Sequence, residues 1–309
     1  MLKLLLPIAI CFCLVAPSSA AEKKIVLIAG TPSHGPGEHE FNAGVLLLKK
    51  SLAGVPGLRV ETHLNGWPGD DASALEGADA ILIFCDGGGG HIVRGSHLGE
   101  LDALAKKGVG LAFVHYAVEI PKDKGGPEFL RWIGGYFEAG WSVNPFWDAD
   151  FKTLPKHPVT SGVKPFHILD EWYFHMRFRD GMQGVTPILT AMAPESTMSR
   201  KDGPHEGNPA VREAVAKGEP QHVMWVCERE DGGRGFGFTG AHFHKNWDND
   251  DFRKVVLNAV LWIAKAEVPP DGVQSAVTAE ALQQNLDPKP ARKTTPAPAT
   301  PTPPSPPSP

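Results

Sequence analysis

Alternating strand and helix signals in the first half of the sequence constrain the fold more than any other feature. The predicted strands are the apolar runs KKIVLIA, LRVETHL, ADAILIFCD and VGLAFVHY. Between and after them, helical spacing of apolar residues predicts helices in EFNAGVLLLKKSLAG, SHLGELDALAKKG and PEFLRWIGGYF. Because parallel strands need long crossover connections, usually helices, this order predicts an α/β fold with a doubly wound, mainly parallel sheet.

The second half of the sequence, after about residue 140, is more polar and less regular. Its predicted strands come from WSVNPFWDADFKTL, HILDEWYFHMRF, VTPILTAM, QHVMWVCERE and GFGFTGAHF, and DFRKVVLNAVLWIAK is predicted to be an amphipathic helix. The stretch between Ala193 and Glu219 is rich in Gly, Pro and charged residues, which predicts a mobile loop. We therefore expect a β-rich second half added to the α/β sheet.

The two ends of the chain do not have the composition of a packed domain. Residues 1–20 place an apolar run between an early Lys and a small-residue cleavage site, which is the pattern of a secretory signal peptide. A membrane anchor is the rival interpretation, but the apolar core is short and no stop-transfer pattern follows it. Residues 269–309 are predicted to be a Pro-rich disordered tail, with a short helix at AEALQQ. This leaves residues 22–268 as the domain of a secreted or periplasmic protein.

Charge and cysteine content narrow the classes of partner. The net charge is −5 and the basic residues are scattered, so there is no basic stripe for nucleic acid and no basic amphipathic helix for a membrane surface. Once the signal peptide is removed, the remaining cysteines are Cys85 and Cys227, each at the end of an apolar run. Buried free thiols are the favoured interpretation, and a disulfide stays open.

Histidines and carboxylates concentrate where the predicted strands end. In open parallel sheets, ligands bind beyond the carboxyl ends of the strands. The polar side chains at those ends are His34, Glu38, His39, Asp86, His91, His115, Glu119, Asp170, Glu171, His175, His242 and His244. Imidazoles and carboxylates that converge at one sheet edge suit a divalent metal, most readily Zn²⁺. No HExxH or CxxC signature marks such a site, and no GxSxG elbow indicates a serine hydrolase.

Most of these residues also have a purely structural interpretation. Histidines in a Gly/Pro-rich loop such as GTPSHGPGEHE are usually solvated, and His175 is explained equally well as a cross-strand partner. The stretch DGGGGH lacks the spacing of a P-loop and is typical of a turn that passes close to neighbouring backbone. His115 is harder to explain this way, because an imidazole at the end of a buried apolar strand needs a partner or a function.

Several sequence blocks together resemble the ThuA-like (trehalose utilisation) family. They are KIVLIAGTPSH, KKGVGLAFVHYAVE with LRWIGGYF, HPVTSGVKPFHILDEWY, and GRGFGFTGAHFH before the last helix, and they extend over roughly residues 23–265. The resemblance implies a flavodoxin-like fold similar to the class I glutamine amidotransferases. Where those enzymes carry a nucleophilic Cys, this sequence has His115, so glutamine amidotransferase activity is not expected.

The resemblance also singles out site residues. The polar positions that match the family pattern are His34, His115, Glu171 and His242. We expect the three histidines of this set to bind a divalent metal, with Zn²⁺ as the first candidate, and the glutamate to act as ligand or base. His39 or His244 would then transfer protons. One departure is the segment GGYFEAGWSVNP, which lacks the His-Pro that the family often carries there.

The family's link to trehalose and related disaccharides implies an exported protein of carbohydrate metabolism. The expected activity is that of a metal-dependent hydrolase, lyase or isomerase acting on (keto-)glycosides. The candidate residues for stacking on sugars are Trp67, Trp141, Trp147, Trp172 and Trp247. The alternative is a non-catalytic sugar-binding or scaffolding domain, and hydrolysis through Cys85 or Cys227 is a third hypothesis. The expected partner is a small-molecule carbohydrate, without nucleic acid or membrane insertion, and homo-oligomerisation stays open.

Overall fold

The central feature of the fold is a seven-stranded sheet. The computed structural model describes residues 22–69 and 73–290, so the predicted signal peptide and residues 291–309 lie outside the described residues. The strands are β1 (Lys23–Ala29), β2 (Leu58–His63), β3 (Ala80–Phe84), β4 (Gly110–Val114), β5 (Gly135–Tyr136), β6 (Phe146–Phe151), β7 (Phe166–Glu171), β8 (Arg177–Phe178), β9 (Val185–Ala191), β10 (Gln221–Glu228) and β11 (Arg234–Phe238). The helices are α1 (Phe41–Leu52), α2 (Ser96–Lys106), α3 (Gly126–Ile133), α4 (Pro209–Ala216), α5 (Asp250–Ile263) and α6 (Ala279–Leu282).

The strand order confirms the predicted α/β fold with a mainly parallel sheet. The order is β2-β1-β3-β4-β11-β10-β9. The first five strands in this order are parallel to one another, which is the flavodoxin-like arrangement. Strand β10 is antiparallel to both of its neighbours. The strands β5 to β8 pair in two small sheets outside the main one, which gives the second half its β-rich character.

Helices cover both faces of the main sheet, as the doubly wound prediction requires. The strand β1 is apolar on both faces: Ile25 lies in one core cluster and Val26 in the other. The first cluster contains residues of α1 and α5, and the second contains Leu101 of α2 and Trp132 of α3. A strand buried on both faces reads as a continuous apolar run, which is why this half was predictable.

The segment 193–219 is not the mobile loop that the composition predicted. It contains α4, whose first turn starts at Pro209 after Asn208, and the Asn208 side chain accepts a hydrogen bond from the Val211 N–H. Asparagine before a proline is a favourable helix start. Val211 and Val215, one turn apart, are both buried. The prediction was wrong here because it was based on the many Gly and charged residues of the segment, and this short apolar stripe was overlooked.

Residues 269–290 pack on the domain, unlike the predicted disordered tail. The Val273 N–H donates a hydrogen bond to Asn258 of α5, and the buried Leu282 of α6 joins the core cluster that contains α1. The predicted helix at AEALQQ is present as α6. The ordered domain therefore extends beyond residue 268 at least to the end of the described residues.

Two further sequence expectations concern thiols and membranes. Cys85 and Cys227 are both buried and unpaired, as the favoured interpretation had it. Within residues 22–69 and 73–290, none of the helices has both the length and the apolar character needed to cross a bilayer.

Candidate metal centre

Three imidazoles and one carboxylate converge at the carboxyl edge of the main sheet. His115 follows β4, His242 lies in the loop after β11, Glu171 ends β7, and His39 lies between β1 and α1. One donor atom from each lies within 4.8 Å of the other three, and we name these four residues the His/Glu cluster. His39 Nε2 is 3.0 Å from His115 Nε2 and 3.0 Å from His242 Nδ1. The Glu171 Oε2 atom is 3.1 Å from His242 Nδ1 and 3.5 Å from His115 Nε2.

Contacts outside the cluster determine which ring nitrogens carry protons. His115 Nδ1 is 2.8 Å from the Thr239 carbonyl oxygen, which can only accept, so Nδ1 is the protonated nitrogen. His39 Nδ1 is 3.2 Å from Asp86 Oδ1 and donates to that carboxylate in the same way. In the neutral rings, both Nε2 atoms then carry lone pairs. Donation of the outer N–H to an oxygen is how metal-binding histidines are held in proteins.

A cation between the rings would stabilise this arrangement. Two lone pairs that face each other at 3.0 Å repel, although the Tyr173 hydroxyl, 3.2 Å from His115 Nε2, and His242 Nδ1, 3.0 Å from His39 Nε2, can each offer a hydrogen. Protonation of His39 would relieve this, but burial and the neighbouring imidazoles hold its pKa far below the usual range. The donor set, three imidazole nitrogens and a carboxylate oxygen, is one that Zn²⁺ and related divalent ions take. The residues of the cluster therefore fit a metal ion.

Glu171 supplies the negative charge of the cluster. Burial raises the pKa of its carboxyl, but the close contacts with the imidazoles of His115 and His242 outweigh burial and lower the pKa to about 2. The Asn144 side-chain amide donates to Oε1 at 3.1 Å, and the Tyr173 hydroxyl donates to Oε2 at 3.3 Å. The carboxylate is thus ionised and held in position from outside the cluster.

Strained backbone accompanies three of the turns that carry the cluster. His39, His115 and Ala241 have φ angles of 45°, 53° and 84°, in the left-handed region. Each such non-glycine residue costs roughly 1–3 kcal/mol, and such strain is concentrated at functional sites. The buried carboxylate of Asp170 holds the last turn by accepting hydrogen bonds from the N–H groups of Ala241 and His242, at 2.7 and 3.1 Å.

A polar cavity of about 190 Å³ opens beside the cluster. Its lining residues are His34, Tyr116, Asn144, Glu171, Tyr173, Arg200, His205 and Glu206. His205 Nε2 lies 3.0 Å from both carboxylate oxygens of Glu119, and this hydrogen bond raises the pKa of the imidazole above its usual value. Arg200 donates to the Asn144 side-chain oxygen at 3.0 Å. The cavity therefore combines an acid or base with several hydrogen-bond donors.

The structure brings together some of the residues predicted for the site and separates others. His115, His242 and Glu171 are in the cluster, and so is His39, for which the sequence suggested proton transfer. His34 lies beside the cluster: its ring stacks on His39 with centroids 3.6 Å apart, and its side chain is 40% exposed. His34, His39 and Asp86 form a second, more exposed group of potential ligands. The metal role of His34 remains a prediction.

His244 lies apart from both groups. It is buried in the turn after β11 and is neither among the cluster atoms nor in the lining of the polar cavity. Burial lowers the pKa of its imidazole to about 4. Its predicted role in proton transfer has no geometric support.

Sequence reasoning missed several residues that line the cavity. Arg200 and His205 lie in the segment that was predicted to be a mobile loop, so neither was considered. Nothing in the sequence distinguishes Asn144 and Tyr173 as site residues from the polar and aromatic residues beside them. The feature that could have identified Arg200 and His205 is their charge, since both lie in the long segment before the Asn-Pro helix start.

Most of the tryptophans proposed for sugar stacking are not accessible. Trp147, Trp172 and Trp247 are buried in the core, so they are not available for stacking on a sugar. Trp141 is covered by Arg177, whose guanidinium carbon lies 3.9 Å from the ring centroid. The exposed aromatic ring at the site is Phe146, which is 53% exposed and whose centroid lies 5.0 Å from that of His242.

Comparisons with known proteins agree with this fold. Residues 26–263 match the family model ThuA, described as trehalose utilisation. A ThuA-like protein from Bacteroides uniformis ATCC 8492 superimposes with a TM-score of 0.57 at 15% identity, covering 80% of this chain and 94% of that one. A ThuA-like protein from Parabacteroides merdae ATCC 43184 gives 0.50 at 15% identity, covering 84% and 94%. No protein of curated function matches the sequence.

Proposed function

The chain belongs to the ThuA family, described as trehalose utilisation, and from this premise we propose that it is an exported, metal-dependent enzyme that acts on disaccharides or their keto-sugar derivatives. The observation that carries the proposal is the convergence of three imidazole nitrogens and one carboxylate oxygen at the sheet edge. The proposal of export is supported by the N-terminal signal-peptide pattern.

In this proposal, His39, His115, His242 and Glu171 hold one divalent ion, with Zn²⁺ as the first candidate. His39 takes the ligand position that the sequence gave to His34. A bound ion would polarise a sugar carbonyl or hydroxyl, or lower the pKa of a water molecule. Asp86 and the Thr239 carbonyl keep the outer nitrogens of His39 and His115 protonated, and so keep the inner lone pairs available.

Proton transfer falls to His205 and Glu119. His205 lines the same cavity as Glu171, and Glu119 stabilises its protonated form. An imidazole with a raised pKa is a suitable acid near neutral pH. Once it has lost its proton, it can act as a base. This pair therefore takes the role that the sequence assigned to His39 or His244.

The cavity lining suits a sugar. Arg200 and the Asn144 amide are hydrogen-bond donors for hydroxyl or keto oxygens, and the Tyr173 hydroxyl oxygen can accept from a sugar O–H. The exposed ring of Phe146 beside His242 offers an apolar surface for the C–H face of a pyranose. Catalysis through a thiol is unfavourable, because burial raises the pKa of both Cys85 and Cys227.

Metal content of the purified full chain tests the proposal. After loading with Zn²⁺ and removal of loose ions, we expect about one ion per chain in the wild type and a large loss in His115→Ala and His242→Ala. His167→Ala is the matched control, since His167 is exposed and pairs with Asp148 away from the cluster. A screen of ordinary and 3-keto disaccharides then measures turnover.

The opposite outcome favours the sugar-binding alternative. If the loaded wild type retains no Zn²⁺, Mn²⁺, Fe²⁺, Co²⁺ or Ni²⁺, and the two variants bind sugars as the parent does, the metal-enzyme proposal is wrong.

A further inference from the structure

The C-terminal segment of the described chain places a buried lysine under the loop that carries His39. The Lys289 side chain is 3% exposed and its partner Glu40 is 1% exposed. The ammonium lies 3.2 Å from Glu40 Oε1, donates to the His39 carbonyl oxygen at 3.2 Å, and also donates to the carbonyl oxygen of Glu38. All three acceptors belong to the cluster ligand His39 and its two chain neighbours.

Further hydrogen bonds join the same two segments. The Asp287 N–H donates to Glu40 Oε2 at 2.8 Å, and the Asn42 side chain donates to Asp287 Oδ1 at 2.7 Å. Glu40 Oε1 also accepts from the Gly37 N–H at 2.8 Å. The segment 37–42, which ends in the first turn of α1, is therefore hydrogen-bonded at several points to a segment that is about 250 positions away in the sequence.

These hydrogen bonds act on a part of the site that is not held by a strand. His115 and Glu171 adjoin strands, whereas His39, like His242, lies in a loop, and its φ is 45°. Its backbone N–H is paired with the His242 carbonyl oxygen at 3.0 Å. Lys289 donates to the carbonyl oxygens of both Glu38 and His39, and the His39 carbonyl also accepts from the Phe41 N–H at 2.9 Å.

We propose that Lys289 is a positioning residue for the metal centre. Its ammonium bonds to Glu40 and to the two carbonyl oxygens that flank the Cα of His39 in the chain. These bonds hold the strained loop so that His39 Nε2 points at the other two imidazoles. Glu40 compensates the buried charge, which would otherwise be costly. Without this contact the loop is held by fewer hydrogen bonds, more of its order has to be gained when the ion binds, and the affinity for the ion falls. The inference rests on the metal centre of the proposed function.

Titration of the metal-free full chain with Co²⁺ against a competing chelator tests the inference. Lys289→Met keeps the length of the side chain and removes its ammonium, and we expect the Kd for Co²⁺ to rise about 10- to 100-fold, as for other outer contacts of metal ligands. Lys254→Met is the matched control: Lys254 contacts the Gly162 carbonyl from an exposed position. If Lys289→Met does not fold, Lys289→Gln keeps a donor group at the site and is measured instead.

Hydrogen exchange of the metal-free proteins separates the outcomes. We expect faster exchange in residues 37–42 of Lys289→Met and unchanged exchange in β4. A folded variant with unchanged Kd overturns the positioning role, even if its melting temperature is lower. If the wild type binds no Co²⁺, the proposed function fails, and unchanged exchange in residues 37–42 would then show separately that Lys289 does not hold the loop.

Discussion

At the scale of single residues, His115 shows how a strained position serves the site. It follows the extended Val114 directly and turns the chain with a φ of 53°. Its Nδ1 lies 2.8 Å from the Thr239 carbonyl oxygen and its Nε2 faces the cluster. The sequence predicted that His115 had a function because it ended a buried strand. The sequence could not predict that His39, rather than His34, would lie within the His/Glu cluster, since both histidines lie in one loop.

His205 offers a catalytic prediction at this scale. We expect His205→Gln to lower kcat/KM on any disaccharide that the wild type turns over by roughly 10²- to 10⁴-fold, because a positioned acid or base contributes about that factor. Metal content should stay unchanged, since His205 is outside the His/Glu cluster. Steady-state kinetics together with metal analysis measure both, with His167→Gln as control. Full activity in His205→Gln would remove this residue from the mechanism.

His91 gives a prediction for acid stability. Its Nε2 donates to the Ala117 carbonyl at 2.9 Å and its Nδ1 accepts from the Val93 N–H at 3.2 Å, so the folded state holds the neutral ring. Burial lowers the pKa from 6.5 to about 4. The contribution of the neutral ring to stability is therefore complete above about pH 6.5, and falls as the pH decreases towards 4 because the unfolded chain binds the proton first.

Urea unfolding at neutral pH and near pH 5 measures this effect. Between the two conditions, the free energy of unfolding of the wild type should fall more than that of His91→Gln, by on the order of 2 kcal/mol. His167→Gln, changed at an exposed histidine, should behave like the wild type. Parallel losses in wild type and His91→Gln would show that His91 does not contribute to the acid sensitivity.

At the scale of elements, the strands and helices of the first half were predictable and the segment that covers the site was not. Runs such as KKIVLIA are apolar because both faces of the sheet are covered, and this needs no knowledge of tertiary contacts. The helix α4 has only eight residues and a narrow apolar stripe, so composition dominated its interpretation. Arg200 and His205 precede it, and their place at the cavity depends on contacts that only the folded chain makes.

The cap of α4 carries a prediction at this scale. Asn208 accepts from the Val211 N–H at 3.0 Å, and its amide donates to the Trp141 carbonyl oxygen at 2.8 Å. We expect Asn208→Ala to lower the free energy of unfolding by about 1–2 kcal/mol, since it removes a helix cap. Urea titration measures it, with Thr278→Ala at the cap of the four-residue α6 as a comparison that should cost less. A change of a few tenths of a kcal/mol would show that the cap contributes little.

At the scale of the whole molecule, the parallel topology explains how distant residues form one site. The carboxyl ends of β1, β3, β4 and β11 lie along one edge, so the loops that follow them meet. This much followed from the order of strand and helix signals, which predicted that histidines and carboxylates would converge at this edge. The choice among the histidines at that edge depends on loop conformations, which strand order does not determine.

Metal loading should stabilise the whole domain. An ion that binds the folded chain and not the unfolded chain adds about 2.7 kcal/mol at a free concentration of 100 times Kd. We expect the melting temperature to rise with Zn²⁺ concentration in the wild type and to stay constant in His242→Ala. Thermal unfolding with and without a chelator measures this. A melting temperature that does not depend on metal in the wild type would argue against a specific site.

The long separation between the cluster residues along the chain has a kinetic consequence. His39 and His242 are 203 positions apart, so an ion held by both would close most of the domain into a ring, as a removable cross-link. Complete unfolding of the loaded protein would have to wait until one of these two bonds breaks. At high denaturant concentration its unfolding rate should therefore level off at the rate of ion release, whereas the rate of the metal-free chain keeps rising.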